Sequence, residues 1–144
     1  MATNSQRVFE LAMALMDEIN DSGQADTTDT REYKNRTLNI LNTLRGELYP
    51  YSDTYALAEP GKRPIVAVID TFEADIGLDD YICQSVMPYG LAAHLLLDEN
   101  PAAANFFYQR YQEMVALLAR GIPQGSEDIV DLYGGIEYGE FSYW

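Results

Sequence analysis

The stretch Asn100 to Gly121, NPAAANFFYQRYQEMVALLARG, carries signals for both of its own ends. Asparagine is favoured at a helix N-cap, proline at the first helical position and glycine just past the last turn. Between these punctuation marks Ala103, Phe106, Phe107, Tyr111, Met114, Leu117 and Leu118 recur at helical spacing over about five turns. The pattern predicts a helix over Pro101 to Arg120 with an apolar stripe facing a core.

Working outward, Asp79 or Asp80 can cap a preceding helix that runs to about Asp98, with Pro88 and Gly90 inside it. Proline removes an intrahelical hydrogen bond, so this helix is expected to be kinked or split into Tyr81 to Met87 and Tyr89 to Asp98. Further upstream, a helix is expected from about Thr30 to Leu48, burying Tyr33, Thr37, Leu41, Leu44 and Leu48 with Leu38 and Ile40 beside them. The first helix starts at Thr3 or Asn4 and is expected to reach about Asn20. Its stripe is Val8, Leu11, Ala12, Leu15 and Ile19, widened by Phe9, Met13 and Met16. The intervening NDSGQADTTDT, Asn20 to Thr30, has loop composition ending in capping residues.

Residues Pro50 to Pro64 hold three of the six prolines and a Pro60-Gly61 turn, a long loop. The following IVAVI, Ile65 to Ile69, is too short for a globular helix and rich in β-branched residues. It reads as a lone short strand or an extended stretch packed on the helices. From Ile122 to Trp144 four glycines interrupt the chain, and it ends Phe141-Ser142-Tyr143-Trp144. The expected fold is therefore all-α: a bundle of about four helices over residues 1–121, the third proline-broken, with a long loop and an extended C-terminal arm over 122–144.

With 144 residues, 47% hydrophobic and 22% charged, the chain suffices for one domain with a real core. Its charge is the distinctive quantity: 23 acids against 9 bases, net −14. Such a chain does not grip nucleic-acid phosphates, because that affinity comes from Lys and Arg displacing counterions. The charge is also uneven. Residues 1–23 hold one base and four acids, 24–63 six of each, and 64–100 seven acids and no base. Residues 101–121 hold two bases and one acid, and 122–144 five acids and no base. An acidic patch of one copy, with Asp70, Glu73 and Asp75, could meet the basic helix of a neighbour at Arg31, Lys34, Arg36 and Arg45, closing a heterologous ring. An acidic ring interior would let a polyanion pass without adhesion.

Candidate chemistry is sparse. One Cys and one His rule out a disulfide framework and a multi-Cys/His zinc site within one chain. Asp70, Glu73, Asp75, Asp79 and Asp80 are oxygen donors of the kind hard cations prefer, but placing Gly77 at the sixth position of an EF-hand loop puts Phe72 at the first. Capping residues and a solvated turn are the expected role, with a divalent-metal enzyme as the competing one. Cys83 and His94 lie eleven residues apart, about 16 Å along an unbroken helix; a break at Pro88 would shorten this, but no other residue supports a dyad. No cofactor, metal or catalytic residue is expected, and no enzyme. The N-terminus lacks a basic segment followed by an unbroken apolar run, so a mature helix kept in a cytosol-like compartment is expected, with no membrane association. Tyr133, Gly134, Gly135, Tyr138, Phe141, Tyr143 and Trp144 make the arm the candidate partner-binding element, since aromatics dominate interface hot spots.

Two stretches resemble a known family. Pro88-Tyr89-Gly90-Leu91-Ala92-Ala93-His94-Leu95-Leu96-Leu97-Asp98-Glu99-Asn100-Pro101, followed by the Phe106 to Tyr111 helix, resembles the proline-broken helix pair of head-tail connector (adaptor, head-completion) proteins of tailed phages and prophages. The run Ile129-Val130-Asp131-Leu132-Tyr133-Gly134-Gly135 is similar to the tail of Firmicute-type versions. The resemblance implies a structural subunit that forms a homo-oligomeric ring beneath the portal protein, extends the DNA channel and docks the next connector or tail protein. It would be a virion component assembled in the bacterial host cytoplasm, with DNA passing but not bound sequence-specifically. The alternative is another virion or tail-assembly component, or a soluble helical protein-interaction module.

Overall fold

A computed structural model describes residues 2–52 and 66–121. Four α-helices stand among them: α1 (Ser5–Leu15), α2 (Arg31–Leu48), α3 (Met87–Leu95) and α4 (Pro101–Gly121). A 3₁₀ turn, Tyr49–Tyr51, follows α2, and a π-helix, Ile82–Val86, runs directly into α3. The fold is all-α, as expected. Among the described residues the one β-type pairing is an isolated antiparallel bridge between Asn4 and Asp75. Residues 66–69 form no strand; Ile69 is buried, Val66 half-buried, and Ala67 and Val68 are exposed. The Pro50 to Pro64 loop from residue 53 onward, Ile65, and the whole 122–144 arm lie outside the described residues.

Local chemistry sets each boundary. Asn4 caps α1 through its side chain, accepting from Arg7 N–H at 2.9 Å. The helix stops at Leu15 and not near Asn20, because Asp17 turns left-handed at φ 59°. There Glu18 N–H donates to Met13 O at 2.9 Å and Asp17 N–H to Ala14 O at 3.2 Å, the paired bonds that close a helix C-terminus. Thr30 precedes α2 but makes no side-chain cap. Its hydroxyl donates to Ala25 O at 2.6 Å and accepts from Thr27 N–H at 3.0 Å, folding the preceding loop instead. At the other end α2 passes into the Pro50-containing 3₁₀ turn. Asn100 caps α4 as its sequence predicts, accepting from Ala103 N–H at 3.2 Å.

Pro88 does not split the helix, which runs without a break through residues 80–95. The turn before it widens to a π-helix, where Met87 N–H reaches back to Ile82 O. A proline ring clashes with the carbonyl four residues earlier, and the wider turn accommodates it while the helix continues. The helix then ends at Leu95, three residues short of Asp98, and Leu96 to Glu99 form a turn.

α3 has almost no polar face: Met87, Pro88, Gly90, Leu91, Ala92, Ala93 and Leu95 are all buried. A helix apolar on all sides belongs at the centre, and α3 packs on α1, α2 and α4 alike. Around it the α2 stripe is buried as read from the sequence. The α1 stripe is rotated: Val8, Phe9, Ala12 and Met13 are buried, Leu11 and Leu15 half-buried, and Ile19 exposed beyond the helix end. On α4, Ala104, Phe107 and Tyr111 face the core, whereas Phe106 and Leu117 do not.

At Gly90 the core leaves no room for a side chain: a Cβ would stand 2.9 Å from Leu44 Cδ2 and 2.9 Å from the Tyr111 ring. Both neighbours are buried, so neither can swing into solvent. Gly90→Val should destabilise the fold by about 2–3 kcal/mol through overpacking, read as a lower urea midpoint at unchanged slope.

Candidate interaction surface

The acidic segment of residues 66–80 has no regular structure, yet it is pinned from two sides. From α2, Asn42 makes a two-bond clasp on Ile69: its Nδ2 donates to Ile69 O at 2.8 Å, and Ile69 N–H donates to its Oδ1 at 2.8 Å. One turn on, the Arg45 guanidinium donates through Nε to Ile76 O at 2.8 Å and through Nη1 to Ala67 O. From the N-terminus, Ile76 N–H donates to Thr3 O at 2.9 Å and Gln6 N–H to Phe72 O at 3.1 Å. Asp80 closes the stitch, accepting from Thr3 N–H at 3.0 Å and the Thr3 hydroxyl at 2.7 Å. Asp79 accepts from the Ser52 hydroxyl at 3.1 Å.

This arrangement changes how the basic helix is used. Lys34 pairs with Asp26 and lies over the Phe72 ring at 4.9 Å and the Phe9 ring at 5.9 Å. Arg36 donates to Leu95 O at 3.4 Å, at the carbonyl end of α3 where a cation is favoured, and lies 5.8 Å from the Tyr33 ring. Arg45 is committed to backbone carbonyls, and its partial burial lowers its pKa from the ordinary value. The acidic segment and the basic helix are thus brought together within one chain. Three of the four bases expected at a subunit contact, Lys34, Arg36 and Arg45, staple the molecule itself, while Arg31 is exposed at the start of α2. Asp70, Glu73 and Asp75 are all exposed. The expected aromatic site, Tyr133, Gly134, Gly135, Tyr138, Phe141, Tyr143 and Trp144, lies outside the described residues.

Cys83 and His94 are not brought together. Cys83 is fully buried against the core, its Sγ donating to Leu78 O at 3.6 Å, and burial pushes its thiol up to about 12. His94 is exposed and lines a groove with Leu97, Pro101, Asn105 and Tyr108. Among the described residues no three His, Cys, Asp or Glu side chains stand close enough to hold a metal ion, and no helix is long and apolar enough to cross a membrane.

Two tyrosines hold the helices in place from the inside. Tyr33 donates to Glu99 in the α3–α4 turn, and that hydrogen bond, with burial, pushes its phenol up to about 12. Tyr111 donates to Glu47 at 2.7 Å, tying α4 to α2, and burial followed by this bond raises its pKa as well.

The surface that sequence reasoning misplaced is the outer face of α4. Phe106 and Leu117 belong to the apolar stripe expected to face the core but are 62% and 60% exposed. Eleven residues is close to three whole turns, so these two share a face with each other and with Arg110 and Glu113. That shared polar company is the signal in the sequence that sets them apart from Phe107 and Tyr111. No protein-family model, curated protein or solved structure matches this chain.

Two measurements test this site. Asn42→Ala should cost about 1–2 kcal/mol and accelerate hydrogen exchange at the Ile69 amide while leaving α4 protected. A thiol whose folded pKa is raised contributes stability below its unfolded value that is lost as pH rises through the folded value. Cys83→Ala should therefore flatten the fall in stability between pH about 9 and about 12, measured by urea titration across that range.

Proposed function

We propose that this chain is a structural subunit of a tailed-phage or prophage head-tail connector, an adaptor that assembles as a ring under the portal and through which DNA passes. The observation that carries the reading is the fixed acidic segment. Residues 66–80, with five acids and no base, are clamped from α2 and from the N-terminus, leaving Asp70, Glu73 and Asp75 exposed. A fixed array of carboxylates repels a polyanion without binding it, which suits a channel wall better than a binding groove. An all-α body whose buried Cys and exposed His are kept apart supports a structural role in place of a catalytic one.

A second reading, a helical protein-interaction module, draws on Phe106, Tyr108 and Leu117, large apolar residues exposed on α4. Gene neighbours separate the two: portal and capsid genes on one side and tail genes on the other accompany an adaptor.

Particles carrying the triple variant Asp70→Asn, Glu73→Gln, Asp75→Asn should contain a correctly folded subunit yet eject DNA more slowly, as the wall becomes less repulsive. Particles lacking the protein should fail to retain DNA or to join tails. Normal packaging, retention and tail joining without it would sink the connector reading.

A further inference from the structure

The outer face of α4 is arranged as its own complement. Phe106, Arg110, Glu113 and Leu117 fall within about 60° of one another around the helix, and all four are exposed. Their order is apolar, basic, acidic, apolar. Reversing the helix about a point between Tyr111 and Gln112 exchanges Phe106 with Leu117 and Arg110 with Glu113. An antiparallel second copy would therefore set each apolar residue against an apolar one and each charge against its opposite.

We propose that α4 is a two-fold docking surface for a second copy of this chain, with Phe106 against the partner's Leu117 and Arg110 against the partner's Glu113, each pair made twice. Within one chain Arg110 Nη1 and Glu113 Oε2 are 3.3 Å apart, so both charges already stand on this face and pairing across the axis extends them into a four-membered network. The charge map restricts the contact further. Two copies of net charge −14 repel each other through most of their surface. Residues 101–121, with two bases and one acid, carry a small net positive charge, so repulsion between copies is weaker there than over the acidic segments. An isologous contact of this kind closes on itself as a dimer, whereas a ring uses two different surfaces. The proposal does not rest on the connector reading.

One helix face, about 31 Å long, buries less than the ~1,000 Å² of a stable interface, so the dimer should be weak, with a Kd on the order of 0.1–1 mM. Sedimentation equilibrium of the full chain from about 0.01 to 1 mM should show monomer passing to dimer. Arg110→Glu and Glu113→Arg should each be monomeric over the same range, since like charges then meet four at a time. An equimolar mixture of the two should dimerise again, because one copy supplies two acids and the other two bases. Circular dichroism melts of both variants check that the fold is kept. Phe106→Ser should weaken the dimer at least about tenfold, one to two kcal/mol for a lost apolar contact made twice. A wild-type chain that stays monomeric, swap variants that associate as well as wild type, or a mixture that stays monomeric would each overturn the proposal.

Discussion

At Gly90 the absence of a side chain lets Leu44 of α2 and Tyr111 of α4 close on the same turn of α3. The helix carrying that glycine buries seven of its nine residues, with His94 its exposed one. Its position forces the rest of the body into place. α1, α2 and α4 must each bury an apolar stripe, and α3 is the shared surface on which they do so. The same short helix tolerates Pro88 only because the preceding turn widens, with Met87 N–H reaching Ile82 O across five residues. A proline and a glycine that would weaken an exposed helix are here compatible with burial: one ring sits inside the core, and one missing side chain admits two neighbours.

Punctuated and periodic elements were readable from the sequence, and long-range pairings were not. The start of α4 was legible from Asn100 and Pro101, since cap and first-turn chemistry act within a few residues. The α2 stripe was legible because its five buried residues follow one helical period over the whole length. The end of α1 was not, because it depends on Asp17 adopting a left-handed conformation that glycine would have announced. Its stripe was misjudged by about one residue of rotation, since the helix packs not only on α3 but also against residues 72–76, as Phe9 and Phe72 meet edge to face at 6.2 Å.

The site shows the same division. Asn42 and Arg45 look like solvent-facing polar residues of an amphipathic helix, and nothing local says otherwise. Their partners, Ile69, Ala67 and Ile76, lie 22 to 31 residues away. An irregular segment cannot satisfy its own backbone groups, so they must be met from outside. Side chains on the outer edge of a finished helix are suited to the task because their own backbone is already paired. The acids of residues 66–80 and the bases of α2 therefore lie together for a reason other than charge: Asn42 and Arg45 bind backbone carbonyls, and Lys34 meets aromatic rings as well as Asp26.

That distinction alters what the net charge means for assembly. Were the bases of α2 neutralising the carboxylates beside them, the acidic segment would be electrically quiet, and any face of the molecule could approach another copy. Arg45 and Arg36 direct their hydrogen bonds to carbonyl oxygens, and Asp70, Glu73 and Asp75 stay exposed at the surface. Exposed carboxylates fixed on a clamped backbone repel over roughly a Debye length, about 8 Å at physiological salt. Copies are held apart where that segment faces, and α4, which lacks such an acidic array, opposes approach less. In the proposed α4 pairing the clamp on residues 66–80 acts at a distance, by disfavouring the orientations in which the carboxylates of two copies face each other.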